Sequence, residues 1–410
     1  MPEFLQNIGL EVPFTLVLLA LLGLRAPVKP VASVWIKATA ADVFALIDLF
    51  DGKVQNWGST TVSTHAIDPA QNLFRMAFAT TLSTGSVQSS EALFHIVARQ
   101  ENVRIEIDRA GLDGKSHNNE LMKIVHHVSE EAGGTRLTTI YHWGPRPYIA
   151  QLLARADLWG GAYRLKGMAE TGKPVEWPHT LISCLVAVLT GLLSVFAFSM
   201  TLGIEVASLL VLALLVHEFG HLLAFRLIGQ PWGRIIFLPF IGALAVPRLA
   251  YQTQAQAVFA ALMGPGFSVP LVLLCAIPWL LGDDTNPHLA SLGLVAAALN
   301  LFNLIPAEPL DGGVALRSVL SRLIGRHAHW GLLILGAGLV LIGAAIGQII
   351  LMIFGGIAVL LNLRDRKIDH GLTPLSSLHL AIFAFSYVAI FGAHLTLLRY
   401  FYGVLYGLQS

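Results

Sequence analysis

The stretch that decides the fold is IEVASLLVLALLVHEFGHLLAFRLI, residues 204–228. An apolar run of this length can cross the hydrocarbon core of a bilayer as one helix. Near its end the run contains HEFGH, residues 217–221. An ionisable side chain inside a membrane helix is costly, by about 2.5–3.5 kcal/mol or more at its centre. The presence of Glu218 in this span therefore indicates a functional role.

HEFGH has the spacing HExxH. Positions i and i+4 of a helix share a face, so His217 and His221 can bind one zinc ion while Glu218 activates a water molecule. The alternative interpretation is a satisfied polar contact between packed helices, which the cost of burying Glu218 in a span disfavours. The motif therefore predicts one Zn²⁺ per chain.

Two histidines leave a zinc site incomplete, and the next candidates lie in NLFNLIPAEPLDGG, residues 300–313. Asp311 is the expected third ligand, and Glu308 is an alternative with suitable chemistry. Pro309 and the glycines at 312 and 313 give Asp311 the more tightly preset turn. The predicted metal ligands are therefore His217, His221 and Asp311.

Composition supports a membrane protein. Of 410 residues, 55% are hydrophobic and 12% charged, with a mean hydropathy of +0.67. Soluble domains carry about 25% charged residues, which argues against a disordered or ordinary cytosolic chain. The net charge of +1 gives no reason to expect a nucleic-acid partner. Cys184 and Cys275 both lie in apolar runs, so no disulfide framework is expected.

The charge pattern divides the chain into four parts: an N-terminal transmembrane anchor (1–24), a soluble domain (25–178), a membrane core (179–365), and a C-terminal transmembrane helix with its tail (366–410). A cleaved signal peptide is the alternative for the first part, although no basic residue precedes its apolar run. Arg25 and Lys29 follow that run, which places the soluble domain in the cytoplasm by the positive-inside rule. We expect an integral protein of a bacterial inner membrane, with the active site toward the cytoplasm.

The soluble part has an α+β pattern. Strands are predicted at 31–37, 59–67, 72–80, 87–99, 103–108, 120–128 and 135–143, and helices at 40–50 and 148–171. This order resembles the START-like helix-grip family (polyketide cyclase/SRPBCC), in which a curved antiparallel sheet wraps the last helix around an apolar cavity. Two interpretations stay open: a cavity for a lipid or apolar small molecule, or a filled core that serves as a docking domain.

The membrane part is expected to contain spans at 179–202, 204–228, 255–281, 289–305 and 375–398, with 330–363 forming two short helices that break near 343–347. The predicted fold class is a polytopic α-helical membrane protein of about six to eight transmembrane helices with an inserted cytosolic α+β helix-grip domain. Residues 233–248 are apolar but are interrupted by two prolines and a glycine. They predict a re-entrant or interfacial hairpin, which is tolerated only where it lines a protein cavity.

Together, HEFGH in a membrane helix and the NLFNLIP…PLDGG segment resemble the site-2 protease family of intramembrane zinc metalloproteases, over about residues 179–365. The resemblance implies zinc on His217, His221 and Asp311, with Glu218 as general base and acid. It also implies that Asn303 holds the substrate backbone or the oxyanion.

Two further segments take part in this resemblance. Residues 263–266, MGPG, resemble the family's Gly-Pro turn, although Ser268 stands where the family usually has Asn. Residues 233–247 resemble its re-entrant substrate-binding segment, so Gly242, Ala243 and Leu244 are expected to contact substrate. His394, in the last predicted span, is expected to be a packed or snorkelling group rather than a ligand.

The functional hypothesis is a metalloendopeptidase that cuts a peptide bond in or near the transmembrane helix of a membrane-protein substrate, in regulated intramembrane proteolysis. The START-like domain would sense a ligand or recruit the substrate. The expected partners are this transmembrane substrate and membrane lipid; the sequence leaves the oligomeric state open. The alternative hypothesis is a membrane-anchored protein that binds or transfers lipid and whose zinc-site scaffold is not proteolytic.

Overall fold

The structure is a computed structural model. It describes residues 25–48, 52–57, 60–110, 121–175, 179–240, 242–282, 286–308, 310–347, 349–363 and 372–406. The predicted N-terminal anchor lies outside these residues. The chain divides into two compact units, Met1–His179 and Thr180–Ser410.

Within the described residues, the first unit is an antiparallel sheet with two helices. Its strands are β1 (Arg25–Val28), β2 (Val31–Ile36), β3 (Val54–Trp57), β4 (Thr60–Asp68), β5 (Leu73–Thr81), β6 (Val87–Gln100), β7 (Arg104–Ala110), β8 (Leu121–Glu131) and β9 (Gly134–Pro147). Its helices are α1 (Ala40–Ile47) and α2 (Tyr148–Thr171). The sheet order is β1-β9-β8-β7-β6-β5-β4-β3, and β2 also pairs with β9.

The core of this unit lies between the sheet and the two helices. Leu158, Ala162 and Leu165 of α2 belong to one buried cluster with Val43 and Phe44 of α1 and with inward-facing side chains of the sheet. In β7, the buried Ile105 and Ile107 flank Glu106, which is also buried and is paired with Arg104 and Lys123. The predicted α+β order is confirmed. The ligand cavity stays a prediction.

Short strands account for the main difference from the predicted elements. The structure adds β1 and β3, of four residues each, which the pattern analysis did not predict. Alternation cannot be recognised over four residues, so these strands depend on their partners: β1 pairs with β9, and β3 pairs with β4.

The second unit contains the apolar helices. They are α3 (His179–Leu227), α4 (Gln254–Leu280), α5 (Pro287–Asn303), α6 (Asp311–Ile324), α7 (Ala328–Ala345), α8 (Ile349–Asn362) and α9 (Ser377–Tyr406). Gly203 interrupts α3 with φ 79° and ψ 157°, so α3 consists of two helical segments, as predicted. The predicted break in 330–363 is also present, between α7 and α8.

Four of the described helical stretches are long and apolar enough to cross a membrane: Leu181–Leu227, Gln254–Leu280, Ala328–Ala345 and Ser377–Tyr406. The predicted total of six to eight spans is not established. It depends on the two segments of α3, on α5 with 17 residues and α8 with 14, and on residues 1–24. The coarser prediction, a helical membrane unit together with an antiparallel sheet domain, holds.

The predicted hairpin is a two-stranded antiparallel sheet of β10 (Arg234–Leu238) and β11 (Gly242–Val246). Ile235 and Phe237 of β10 belong to a buried cluster with Leu214 of α3. The Phe237 backbone N–H also donates to the hydroxyl of Thr190, 3.2 Å away. The hairpin is therefore packed into the helical unit.

Candidate metal centre

The second segment of α3 carries the HExxH residues on its buried side. His217, Glu218 and His221 have exposed fractions of 2%, 4% and 8%. One possible ligand atom from each residue lies within 4.8 Å of the others. The helical i, i+4 spacing thus brings the two imidazoles together as expected.

Asp311, the first residue of α6, completes this group. Its Oδ2 lies 3.1 Å from Nε2 of His217 and 3.4 Å from Nε2 of His221. The two Nε2 atoms are 3.1 Å apart. Ligands at about 2.0–2.2 Å from a tetrahedral zinc ion lie roughly 3.3 Å from one another. The three atoms therefore form one face of a tetrahedron of the right size for zinc.

The outer nitrogens of both imidazoles are engaged. Nδ1 of His217 donates to Oδ1 of Asn300 at 2.8 Å, and Nδ1 of His221 donates to the carbonyl of Ala260 at 2.7 Å. The Asn300 amide is oriented by its own Nδ2, which donates to the carbonyl of Ala296 at 2.7 Å. Since the proton is on Nδ1 in each ring, both Nε2 lone pairs are free for a metal ion.

Two glycines let α3 and α4 approach closely at this point. A Cβ at Gly220 would collide with the backbone of Met263, and a Cβ at Gly264 would collide with the imidazole of His221 and lie 2.9 Å from Nε2 of His217. The MGPG segment lies within the continuous helix α4, so the expected Gly-Pro turn is wrong. Because Gly264 has no side chain, the imidazoles of His217 and His221 pack directly against its backbone.

Ser268 lies in the same helix, and its hydroxyl donates to the carbonyl of Gly264 at 3.1 Å. This is a contact within α4 rather than with a metal ligand. The departure from the family's usual Asn therefore affects a local helix contact.

The segment before Asp311 is folded back on itself. A Cβ at Gly312 would collide with the Leu304 carbonyl, and one at Gly313 would collide with the backbone of Ala307. The amide of Asn362 in α8 donates to the carbonyl of Pro306 at 2.8 Å. These contacts hold the backbone on both sides of Asp311 and so place its carboxylate beside the two histidines.

Glu308, the alternative third ligand, is engaged elsewhere. Its carboxylate forms an ion pair with Arg317 of α6, both side chains being largely buried. Asp311 is the carboxylate that contacts both histidines.

Glu218 lies beside the hairpin. The backbone of Ala245 in β11 lies close enough to its carboxylate to interact with it. β11 is therefore the strand of the hairpin that lies beside Glu218. Gly242, Ala243 and Leu244 lie on the same strand, and Leu244 is 52% exposed.

Asn303 lies one turn after Asn300 on α5. Its Nδ2 donates to the carbonyl of Leu299 within the same helix, 3.3 Å away. Its role with substrate stays a prediction. Asn300 is not among the residues predicted from the sequence, although a polar side chain in an apolar span is the signal that also marks Glu218.

His394 was expected to be either a packed or a snorkelling group, and the structure shows that it is packed. It is fully buried, and its Nε2 lies 2.9 Å from the carbonyl of Pro265.

The chain is similar in sequence to two zinc metalloproteases. No protein-family profile matches the chain. A Synechocystis protein named provisionally as a zinc metalloprotease is 34% identical over 154 residues, 36% of this chain and 40% of its own length. A zinc metalloprotease of Methanocaldococcus jannaschii is 30% identical over 166 residues, 40% of this chain and 47% of its own length. The resemblance to zinc metalloproteases is confirmed.

Two solved structures are also similar. The site-2 protease from Methanocaldococcus jannaschii is 24% identical, covers 47% of this chain and 93% of its own, and has a TM-score of 0.31. A di-domain ARO/CYC protein from a biosynthetic pathway is 16% identical, covers 40% of this chain and 55% of its own, and has a TM-score of 0.26. The chain spans less than half the length of the two metalloproteases it matches in sequence.

Proposed function

We propose that this chain is an intramembrane zinc metalloprotease that hydrolyses a peptide bond in or near the transmembrane helix of a membrane-protein substrate. One observation carries the proposal: Nε2 of His217, Nε2 of His221 and Oδ2 of Asp311 lie within 3.1–3.4 Å of one another beside the buried Glu218. The zinc metalloproteases that resemble this chain support the same class of reaction.

The donor set fits one zinc ion per chain, held by His217, His221 and Asp311. Zinc there would supply a Lewis acid for the scissile carbonyl and acidify a water molecule. Glu218 takes a proton from the attacking water as its oxygen bonds to the carbonyl carbon. Glu218 then returns that proton to the amide nitrogen as the C–N bond breaks, which leaves a carboxylic acid and an amine.

The position of β11 beside Glu218 supports the proposed mode of substrate binding. A peptide bond within a helix is shielded by its own hydrogen bonds, so a substrate helix must unwind before it is cut. An unwound segment can add to the edge of a strand through backbone hydrogen bonds. The strand formed by Gly242, Ala243 and Leu244 continues to Ala245, whose backbone lies beside Glu218. A peptide bound along it would therefore pass the general base.

Asn303 belongs to the same proposal, as a group that holds the substrate backbone or the oxyanion. The START-like unit would sense a lipid or apolar small molecule, or recruit the substrate. We further propose a bacterial inner-membrane location with the site toward the cytoplasm, and a role in regulated intramembrane proteolysis.

The test compares membrane proteomes of cells that carry the wild-type chain, Glu218→Gln and Glu205→Gln. Glu205 lies in the same segment of α3, is exposed, and pairs with His288, so it is a matched control. We expect one or a few single-span proteins, or their truncated stubs, to accumulate with Glu218→Gln alone. Unchanged fragment patterns under several stresses would contradict proteolysis, and co-purified lipid without zinc would then favour the lipid-binding alternative.

A further inference from the structure

Helix α9 carries two polar side chains on its packed face. Tyr387 and His394 are separated by seven residues, or about two helical turns, so they lie on the same side of the helix. Tyr387 packs against a buried cluster that contains Leu304, and His394 is fully buried. A polar group in an apolar span is costly unless it is satisfied by a partner, so the partners of these two residues are informative.

His394 holds the backbone of α4 behind the two histidine ligands. Its Nε2 lies 2.9 Å from the carbonyl of Pro265, and because a carbonyl only accepts, Nε2 carries the proton and donates. Pro265 follows Gly264, the residue against which the imidazoles of His217 and His221 are packed. A shift of this carbonyl would therefore shift the surface on which both rings rest.

Tyr387 holds the turn that delivers the third ligand. Its hydroxyl donates to the carbonyl of Leu304, the C-cap residue of α5. The same carbonyl lies directly against Gly312, the neighbour of Asp311. The hydroxyl of Tyr387 therefore acts on the backbone next to Asp311 through a single group, the carbonyl of Leu304.

Between these two contacts, α9 also meets α4 through an apolar side chain. Ile390 lies on the same face, and its Cδ1 would be 3.3 Å from a Cβ built on Gly266. Contacts from 387, 390 and 394 therefore follow one line along the helix. Through this line, one helix contacts the segment of α4 that packs behind His217 and His221 and the Leu304 carbonyl that lies against Gly312. Within the described residues, α9 contributes none of the three predicted ligands.

We propose that Tyr387 and His394 are positioning residues for the metal centre. Through them, α9 keeps the His217–His221 pair and Asp311 at the distance from each other that metal binding requires. This inference rests on the proposed zinc site. Neither side chain contacts a ligand atom; each acts through a backbone carbonyl. The donor atoms come from two helices, α3 and α6. Because α9 contacts the backbone that packs against the ligands of each, it sets the distances between the three donor atoms.

The test uses the full chain in lipid nanodiscs and three variants. Tyr387→Phe removes only the hydroxyl, His394→Leu removes the donor, and His394→Gln keeps an N–H near the position of Nε2. Thr396→Val is the control, because Thr396 is exposed on the same helix and its hydroxyl bonds to Gly392 within that helix. Zinc affinity is measured by chelator competition, Co²⁺ visible absorption reports the ligand geometry, and thermal unfolding is measured without metal.

We expect zinc affinity to fall roughly tenfold in Tyr387→Phe and in His394→Leu, the lower end of the effect of removing a group that orients metal ligands. Their Co²⁺ spectra should change, while the spectra of His394→Gln and Thr396→Val should match that of the wild type. Unchanged zinc affinity and spectra in Tyr387→Phe and His394→Leu, with only a lower unfolding temperature of the metal-free chain, would assign both residues to packing and overturn the inference. A wild-type chain that binds no zinc would overturn the proposed function as well.

Discussion

The amide oxygen of Asn300 lies 2.8 Å from Nδ1 of His217, and the amide nitrogen of Asn300 is held by the carbonyl of Ala296. The side chain therefore has one orientation, in which it accepts the Nδ1 proton and leaves Nε2 of His217 bare. Partners of this kind fix the tautomer and the direction of a metal-binding imidazole. A residue on α5 thus determines how a ligand on α3 presents its lone pair.

We predict that Asn300→Ala lowers zinc affinity by about 10–100-fold, since the imidazole of His217 loses the partner that orients it. Zinc affinity is measured by chelator competition on the purified chain. Asn303→Ala is the matched comparison, one helical turn away. It should leave zinc affinity unchanged and lower the turnover of a cleavable substrate. Equal zinc affinities for the wild type and Asn300→Ala would contradict the assignment.

Gly264 provides a second prediction. In Gly264→Ala the new methyl group would occupy the space of the His221 imidazole, so one ring must leave its position. We expect zinc content after purification to fall well below one ion per chain, measured by elemental analysis. Gly266→Ala, two residues along α4, is the control. Its methyl group would meet only the flexible end of Ile390, and zinc content should stay near that of the wild type.

The sequence predicts the elements of this chain where their patterns are long. Helix α2 begins and ends as expected, at Tyr148 and Thr171, and the hairpin lies within the predicted 233–248 segment. Both follow from local signals: Pro147 and Gly172 stand on either side of α2, and the prolines and glycine of the hairpin set its limits. Strands β1 and β3 could not be predicted, because four residues carry no measurable period.

The candidate site shows the same division. The HExxH spacing places His217 and His221 together through helix geometry alone. Helix geometry does not determine which of Asn300 and Asn303 contacts His217. Both are amides on one apolar helix, and only the packing of α5 against α3 determines that Asn300 faces His217. The contacts of Tyr387 and His394 likewise join residues more than 80 positions apart, which no local pattern reports.

The two carboxylates near the metal centre should behave differently. We predict that Asp311→Asn abolishes stoichiometric zinc binding, because Asp311 contacts Nε2 of both histidines. Glu308→Gln should retain zinc, because Glu308 pairs with Arg317 rather than with a histidine. Zinc per chain by elemental analysis distinguishes the two variants. Loss of zinc in Glu308→Gln together with retention in Asp311→Asn would reverse the ligand assignment.

The sheet unit carries a pH-dependent element in β8. Burial lowers the pKa of His126 from 6.5 to about 4, with a smaller effect from the charge of His127. The unfolded chain therefore takes up a proton on this residue near pH 6.5, whereas the folded unit resists it until about pH 4. Stability from this group is fully present above about pH 6.5 and is lost as the pH falls toward 4.

His126→Asn tests this dependence, because it removes the titrating ring and leaves a polar group near the hydroxyl of Thr139, which lies 2.9 Å from Nδ1 of His126. Hydrogen exchange of β8 and β9 in the full chain, corrected for the intrinsic pH dependence of exchange, gives the local stability at each pH. The wild type should lose more protection than His126→Asn between pH 6.5 and 4.5, and the exposed His65→Asn should follow the wild type. Parallel loss in the wild type and in His126→Asn would show that another group governs the acid sensitivity of this sheet.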